Sequence, residues 1–253
     1  MTLYGRAVES RRPDALWRDP AAVDIVERLD CDWGRFDDDW ITQIGVAVRT
    51  EILDDATRAF FARAAQPTVV NLGAGLCTRF ARVDDGRVRW VDIDVPEVVA
   101  VRRALVAETD RYRIVAASIL DPGWTDRLEL RPDATLLFIA EGVLQYLDGS
   151  DVEALLTTIG TRFPGCEMLF DASSPAAIAL ARVLPSLRRA GVRPRWGYRG
   201  LASLAARLPA VEPIAEWRYD RHLERWGWIR VIRRLPGVTT LMRVAHVRLG
   251  AAT

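Results

Sequence analysis

"TVVNLGAGLCTRF", residues 68–80, passes from an apolar strand-like segment into two glycines and then a Thr-Arg pair. A glycine corner directly after a buried strand marks a place where backbone approaches a ligand closely. Upstream, Ile41, Ile44, Val48, Ile52, Ala56 and Phe60 recur at helical spacing over residues 41–64, with Asp37 to Asp39 available for its cap. Downstream, "RVRWVDI", "YRIVAA", "ATLLFIA" and "CEMLFDA" read as strands, and Pro96 with Glu97 opens a helix carrying Val98, Val101 and Leu105 on one face. The unbroken apolar run at 134–140 suits the centre of a parallel sheet covered on both faces. Ser150 and Glu153 form a capping-box pattern ahead of Val152, Leu155, Leu156 and Ile159. Strands alternating with helices in this way specify a doubly wound α/β sheet.

The rhythm breaks after residue 174. Residues 175–208 read as two helices around "RPRWGYRG", an insertion rather than another βα repeat. "VEPIAEWRY" and "TLMRVAHVRL" read as late strands flanking a helix at about 221–234, closing the sheet edge as an antiparallel pair. A single domain over 1–253 is expected: a helical region to 66, a ligand-binding core over 67–174, a cap over 175–208, and late strands with a helix over 209–253.

Composition narrows the partners. The net charge is +1, which argues against a polyanionic partner such as nucleic acid. All 35 basic residues are Arg, a side chain shaped for bidentate recognition of carboxylates. No apolar run approaches the roughly 20 residues that span a bilayer, and the N-terminus lacks a signal-peptide core. A cytoplasmic protein without a membrane partner is expected. Cys31, Cys77 and Cys166 share no metal-ligand spacing, so no metal is expected and the three read as buried thiols.

Open α/β sheets bind ligands at the carboxyl ends of their strands. Standing there are Gly73 and Gly75 after the first strand, Asp92 and Asp94 after the second, Ser118 and Ile119 after the third, and Glu141 after the fourth. Glycines admit the ligand, and a carboxylate after the second strand can accept hydrogen bonds from ribose hydroxyls, so the layout suits a nucleoside. A dinucleotide fingerprint needs a small residue three positions after the second glycine. Here that residue is Thr78, followed by Arg79 and Phe80, which disfavours a pyrophosphate reader.

Several segments in order carry a more specific resemblance: "TLYGRAVESRRPDALWRDP", "RTEILDD", "NLGAGLCTRF", "WVDIDVPEVV", "AASILDPGW" and "FIAEGVLQYL". Together they resemble the leucine carboxyl methyltransferase family, especially its bacterial, polyketide O-methyltransferase branch, over roughly residues 1–165. The resemblance implies a Rossmann-like class I methyltransferase sheet, S-adenosylmethionine as donor, and a carboxylate or hydroxyl of a small, polyketide-like or aromatic molecule as acceptor. It implies that Arg49 pairs with the donor's carboxylate, that Gly73 and Gly75 flank its methionine and ribose parts, and that Ser118 and Ile119 flank adenine. Asp94 matches a donor-contacting acid, Asp92 sits where many methyltransferases hold ribose, and Glu141 matches an acid near the donor.

Each residue has a plainer alternative: a solvated rim charge for Arg49, a helix cap before Pro96 for Asp92 or Asp94. Cys77 departs from the family's usual Asp, removing a carboxylate from the turn. For a hydroxyl acceptor, His222 and His246 are the natural bases near neutral pH, and His222 is the candidate, against a surface role. Tyr146 can hydrogen-bond an acceptor oxygen or serve packing alone. Tyr4, Trp196, Tyr198, Trp226 and Trp228 are candidate rings for the mouth and cap. Two other functions stay open: methylation of a protein C-terminal carboxylate, and donor binding without transfer.

Overall fold

The computed structural model describes residues 1–181, 193–227, 231 and 241–250. Its strands are β1 (Pro67–Leu72), β2 (Arg89–Asp94), β3 (Tyr112–Ala116), β4 (Thr135–Ala140), β5 (Glu167–Ser173), β6 (Val211–Arg218) and β7 (Met242–Leu249). They form one sheet in the order β3-β2-β1-β4-β5-β7-β6. β1 to β5 run parallel, and β7 runs antiparallel to both β5 and β6. The doubly wound sheet and the late antiparallel pair are therefore as expected. The chain steps outward from β1 to β3 and returns beside β1 for β4, so the carboxyl ends of β1 and β4 are the switch point at which open α/β sheets form their ligand crevice.

The helices are α1 (Thr2–Arg11), α2 (Pro20–Arg28), α3 (Trp40–Arg63), α4 (Arg79–Val83), α5 (Pro96–Leu105), α6 (Gly149–Arg162), α7 (Pro175–Ala181) and α8 (Leu201–Arg207). On one face of the sheet, Val70, Leu72, Phe138 and Phe170 pack with Val152, Leu155, Leu156 and Ile159 of α6. On the other, Val69, Leu137, Ile139 and Leu169 pack with Val48, Ile52, Leu53 and Phe60 of α3. A third cluster joins α1 to α2 through Leu3, Ala7, Ile25 and Val26. α1 packs on α3 beside Val46, and Arg49, Thr50 and Asp54 of α3 are interior residues, whereas Asp55, Arg58 and Arg63 face solvent.

Three local expectations are corrected. α5 buries Val99 and Arg102, whereas Val101 is 47% exposed. The reason is an ionic anchor: Arg102 must face the sheet to reach Asp92, and this turns the helix away from the apolar stripe. α6 begins at Gly149, so Ser150 lies within its first turn rather than at its cap. Asp148 pairs with Arg195 and Glu153 with Arg207, leaving neither acid for capping. Of the cysteines only Cys166 is buried, its thiol pushed up to about 12 by desolvation, while Cys31 is exposed and Cys77 half-buried.

In the cap, α7 is followed by residues 182–192, which lie outside the described residues; 193–200 then lead without helix or strand into α8. Of the helix expected at 221–234, a 3-10 turn at Leu223–Trp226 is seen; most of the remainder, with Trp228, lies outside the described residues. No helix among the described residues is long and apolar enough to cross a membrane.

Candidate functional site

The glycine corner is the floor of the crevice. Gly73 and Gly75 take φ of +59° and +49°, values that disfavour any side chain. A Cβ on Gly73 would lie 2.5 Å from Val143 Cγ2, so this glycine lets the β1 turn touch the loop after β4. A Cβ on Gly75 would meet nothing within 4 Å. Gly73 serves close packing, and Gly75 faces open space. Asp94 ties down the corner by accepting from the Gly75 N–H at 2.7 Å and from the Val95 N–H at 2.8 Å.

Asp92 is a correction. It is 1% exposed, and four donors surround its carboxylate: Asn71 Nδ2 at 2.7 Å, Trp90 Nε1 at 2.9 Å, the Tyr112 hydroxyl and Arg102. Its acceptor capacity is spent inside the fold, and it neither reaches the crevice nor caps α5. Arg102 also donates to the carbonyls of Gly75 and Cys77, at 2.7 Å each. Asp92 thus supports the corner from behind, through Arg102. Burial and the neighbouring Asp92 carboxylate together push the Tyr112 phenol far above its usual range.

A chain of alternating charges runs beneath the crevice. Arg49 lies 2.7 Å from Asp171 and 2.9 Å from Glu141, Arg79 lies 2.6 Å from Glu141 and 2.8 Å from Asp54, and Arg82 pairs with Asp54 and Asp19. Arg49 is therefore buried, 7% exposed, and is not a rim charge. Burial alone would raise the Glu141 pKa, but Arg49 and Arg79 overcome it and hold the carboxyl well below the usual range. Burial opposes the Arg49 charge, and Asp171 and Glu141 outweigh it. Glu141 Oε1 has Arg49 Nη2 at 2.9 Å, and the buried Tyr219 hydroxyl also faces the Arg49 guanidinium. A buried cation and a buried carboxylate side by side at a strand-end crevice fit a zwitterionic ligand. Cys77 leaves no gap in this chain, since Arg79 is held by Asp54 and Glu141.

Ser118 and Ile119 follow β3 as expected, half-buried, with Ser118 Oγ accepting from the Leu120 N–H at 3.2 Å and Ile119 packed on the core. Tyr146 lies in the 3-10 turn Leu144–Tyr146 after β4; burial and nearby Asp171 raise its pKa while Arg49 opposes them. The histidines are elsewhere. His222 Nε2 lies 3.0 and 3.1 Å from the two oxygens of Glu51, which projects from α3 about 200° around the helix from Arg49. His246 is buried against Glu167 at 2.7 Å, at the other end of β5 from the crevice. Trp196, Tyr198 and Trp226 are core residues, while half-buried Tyr4 stacks on Trp33 at 5.5 Å. Arg102 and Asp171 were missed by sequence reading; an acid ending an apolar strand was the signal for Asp171.

Residues 1–160 match the family described as leucine carboxyl methyltransferase. The chain belongs to this family. It is 31% identical over 85% of its length to the tetracenomycin polyketide synthesis O-methyltransferase TcmP of Streptomyces glaucescens, of which 80% is covered. Its fold is similar to that of a DUF574 family protein from Streptomyces avermitilis (TM-score 0.61, 14% identity, 98% of this chain and 97% of that one). It is also similar to a putative methyltransferase from Thermobifida fusca (TM-score 0.59, 14% identity, 99% and 95%). The sheet is thus the Rossmann-like methyltransferase sheet that the resemblance implied.

Proposed function

We infer that this S-adenosylmethionine-dependent methyltransferase is an O-methyltransferase acting on a small polyketide-like or aromatic molecule. The observation that carries donor binding is the buried Arg49 and Glu141 pair beside a glycine corner that opens at Gly75. In this reading Arg49 binds the donor's carboxylate and Glu141 its ammonium group. Gly73 and Gly75 flank the methionine and ribose parts, Asp94 accepts from ribose hydroxyls, and Ser118 and Ile119 flank adenine. S-adenosylmethionine supplies a methyl group on a positively charged sulfur. An acceptor oxygen forms the new C–O bond while the C–S bond breaks and its electron pair returns to sulfur. The chain's task is to hold the two reactants in line and exclude water. Tyr146, beside Arg49 and Asp171, is suited to hydrogen-bond the acceptor oxygen.

A carboxylate is the favoured acceptor. It needs no base, and the chain's only two histidines, His222 and His246, are paired with Glu51 and Glu167 away from the crevice. The polyketide-like class rests on the likeness to TcmP. The test is to incubate the protein with methyl-labelled donor and a panel of aromatic acids, phenols and C-terminal peptides, and to follow product mass. Labelled methyl esters of aromatic acids are expected; transfer to peptides alone, or to nothing, would reject the reading.

A further inference from the structure

Asp171 is a buried acid that the donor contacts above do not use. It lies near the carboxyl end of β5, 1% exposed, with apolar Val244 as its register partner on β7. A buried carboxylate costs several kcal/mol unless its partners repay it, and an apolar residue would serve the sheet equally well. Its partners lie across the crevice. Oδ2 accepts from Arg49 Nη1 at 2.7 Å, and Oδ1 accepts from the Gly142 N–H. Gly142 has φ of +68°, and a Cβ there would stand 3.6 Å from Arg49 Nη1, so this turn and the guanidinium pack together. The next residue, Val143, is the one against which Gly73 closes. One carboxylate therefore links α3, the turn after β4 and, through that turn, the glycine corner.

The guanidinium is fixed by its two ends. Asp171 takes Nη1, Glu141 takes Nη2, and the buried Tyr219 hydroxyl faces the same guanidinium. We propose that Asp171 is a positioning residue, holding Arg49 and the Gly142 turn in the orientation that receives the carboxylate of the donor's amino-acid end. The proposal rests on the donor assignment made above. Asp171 acts through Arg49 and touches no reacting atom. Asparagine in its place keeps an acceptor for Gly142 but presents an uncharged amide to Arg49, which is then free to swing toward Glu141.

The test compares two ligands by calorimetry: S-adenosylhomocysteine, and 5′-methylthioadenosine, which lacks the amino-acid end. Asp171→Asn should weaken S-adenosylhomocysteine by about tenfold or more while leaving 5′-methylthioadenosine within about twofold, and in an Arg49→Ala background it should add nothing. Equal losses for both ligands, an unchanged S-adenosylhomocysteine affinity, or additive effects in the double variant would overturn the proposal. Wild-type protein that binds neither ligand would overturn the donor assignment itself. Should Asp171→Asn not fold, the wild-type protein decides by amide exchange. The Gly142 N–H should exchange about tenfold more slowly or better with S-adenosylhomocysteine bound, and unchanged exchange would overturn the proposal.

Discussion

Asp94 on β2 accepts a 2.7 Å hydrogen bond from the backbone N–H of Gly75, so the acid proposed to hold ribose and the glycine that opens toward it are fixed to each other. The bond leaves acceptor capacity on both oxygens of Asp94, in contrast to Asp92. Asp94→Ala should therefore weaken S-adenosylhomocysteine binding by about 1.5–3 kcal/mol, roughly tenfold to a hundredfold, in calorimetry. An unchanged affinity would remove Asp94 from the donor site.

Asp92→Ala should behave differently. It strands Arg102 in the interior, and removing one partner of a buried pair costs about 3–5 kcal/mol. The urea midpoint should fall accordingly, with stability rather than nucleoside affinity as the main loss. A variant of wild-type stability that has lost donor binding would reverse the roles assigned to Asp92 and Asp94.

Arg49→Ala combines the two effects. It leaves Asp171 and Glu141 with one fewer cation, which lowers stability, and it removes a charge-assisted contact worth about 1.5–3 kcal/mol to the donor. Both losses are expected, in urea titration and in calorimetry; a folded variant with wild-type affinity would contradict the site.

His222→Ala separates the two acceptor chemistries. With a carboxylate acceptor, turnover at saturating substrate should stay within a few-fold of wild type, because the ring is held by Glu51 on the far face of α3. A loss on the order of 100-fold, with donor affinity intact, would make His222 a base and the acceptor a hydroxyl.

Acid should loosen the β5–β7 pairing before it empties the site. Desolvation would raise the Glu167 pKa, but hydrogen bonds from His246 and Arg63 bring it down to about 2 from 4.5. A depressed folded pKa contributes stability that is present above the unfolded value and lost as pH falls toward the folded one. Stability should therefore decline between about 4.5 and 2, and Glu167→Gln should flatten that slope in acid titrations followed by circular dichroism.

The sheet was legible in the sequence because its signals are local: apolar strand runs, glycine after β1, proline at the start of α5. What stayed hidden depends on partners far along the chain. Two acids two residues apart in "VDID" look alike until Arg102 and Tyr112 are seen to enclose one of them. From its residues alone Arg49 read as a rim charge, since its burial comes from Glu141, the Gly142 turn and Asp171, far along the chain. Asp171 lay in plain view in "CEMLFDA", but its value depends on Arg49, 122 positions away in sequence.

The most direct measurement is ligand binding by calorimetry on the wild-type protein. S-adenosylmethionine and S-adenosylhomocysteine should each bind at one site per chain, and NAD should not bind. Binding of NAD with no response to either adenosyl ligand would contradict the donor site built on Arg49, Gly75, Asp94 and Glu141.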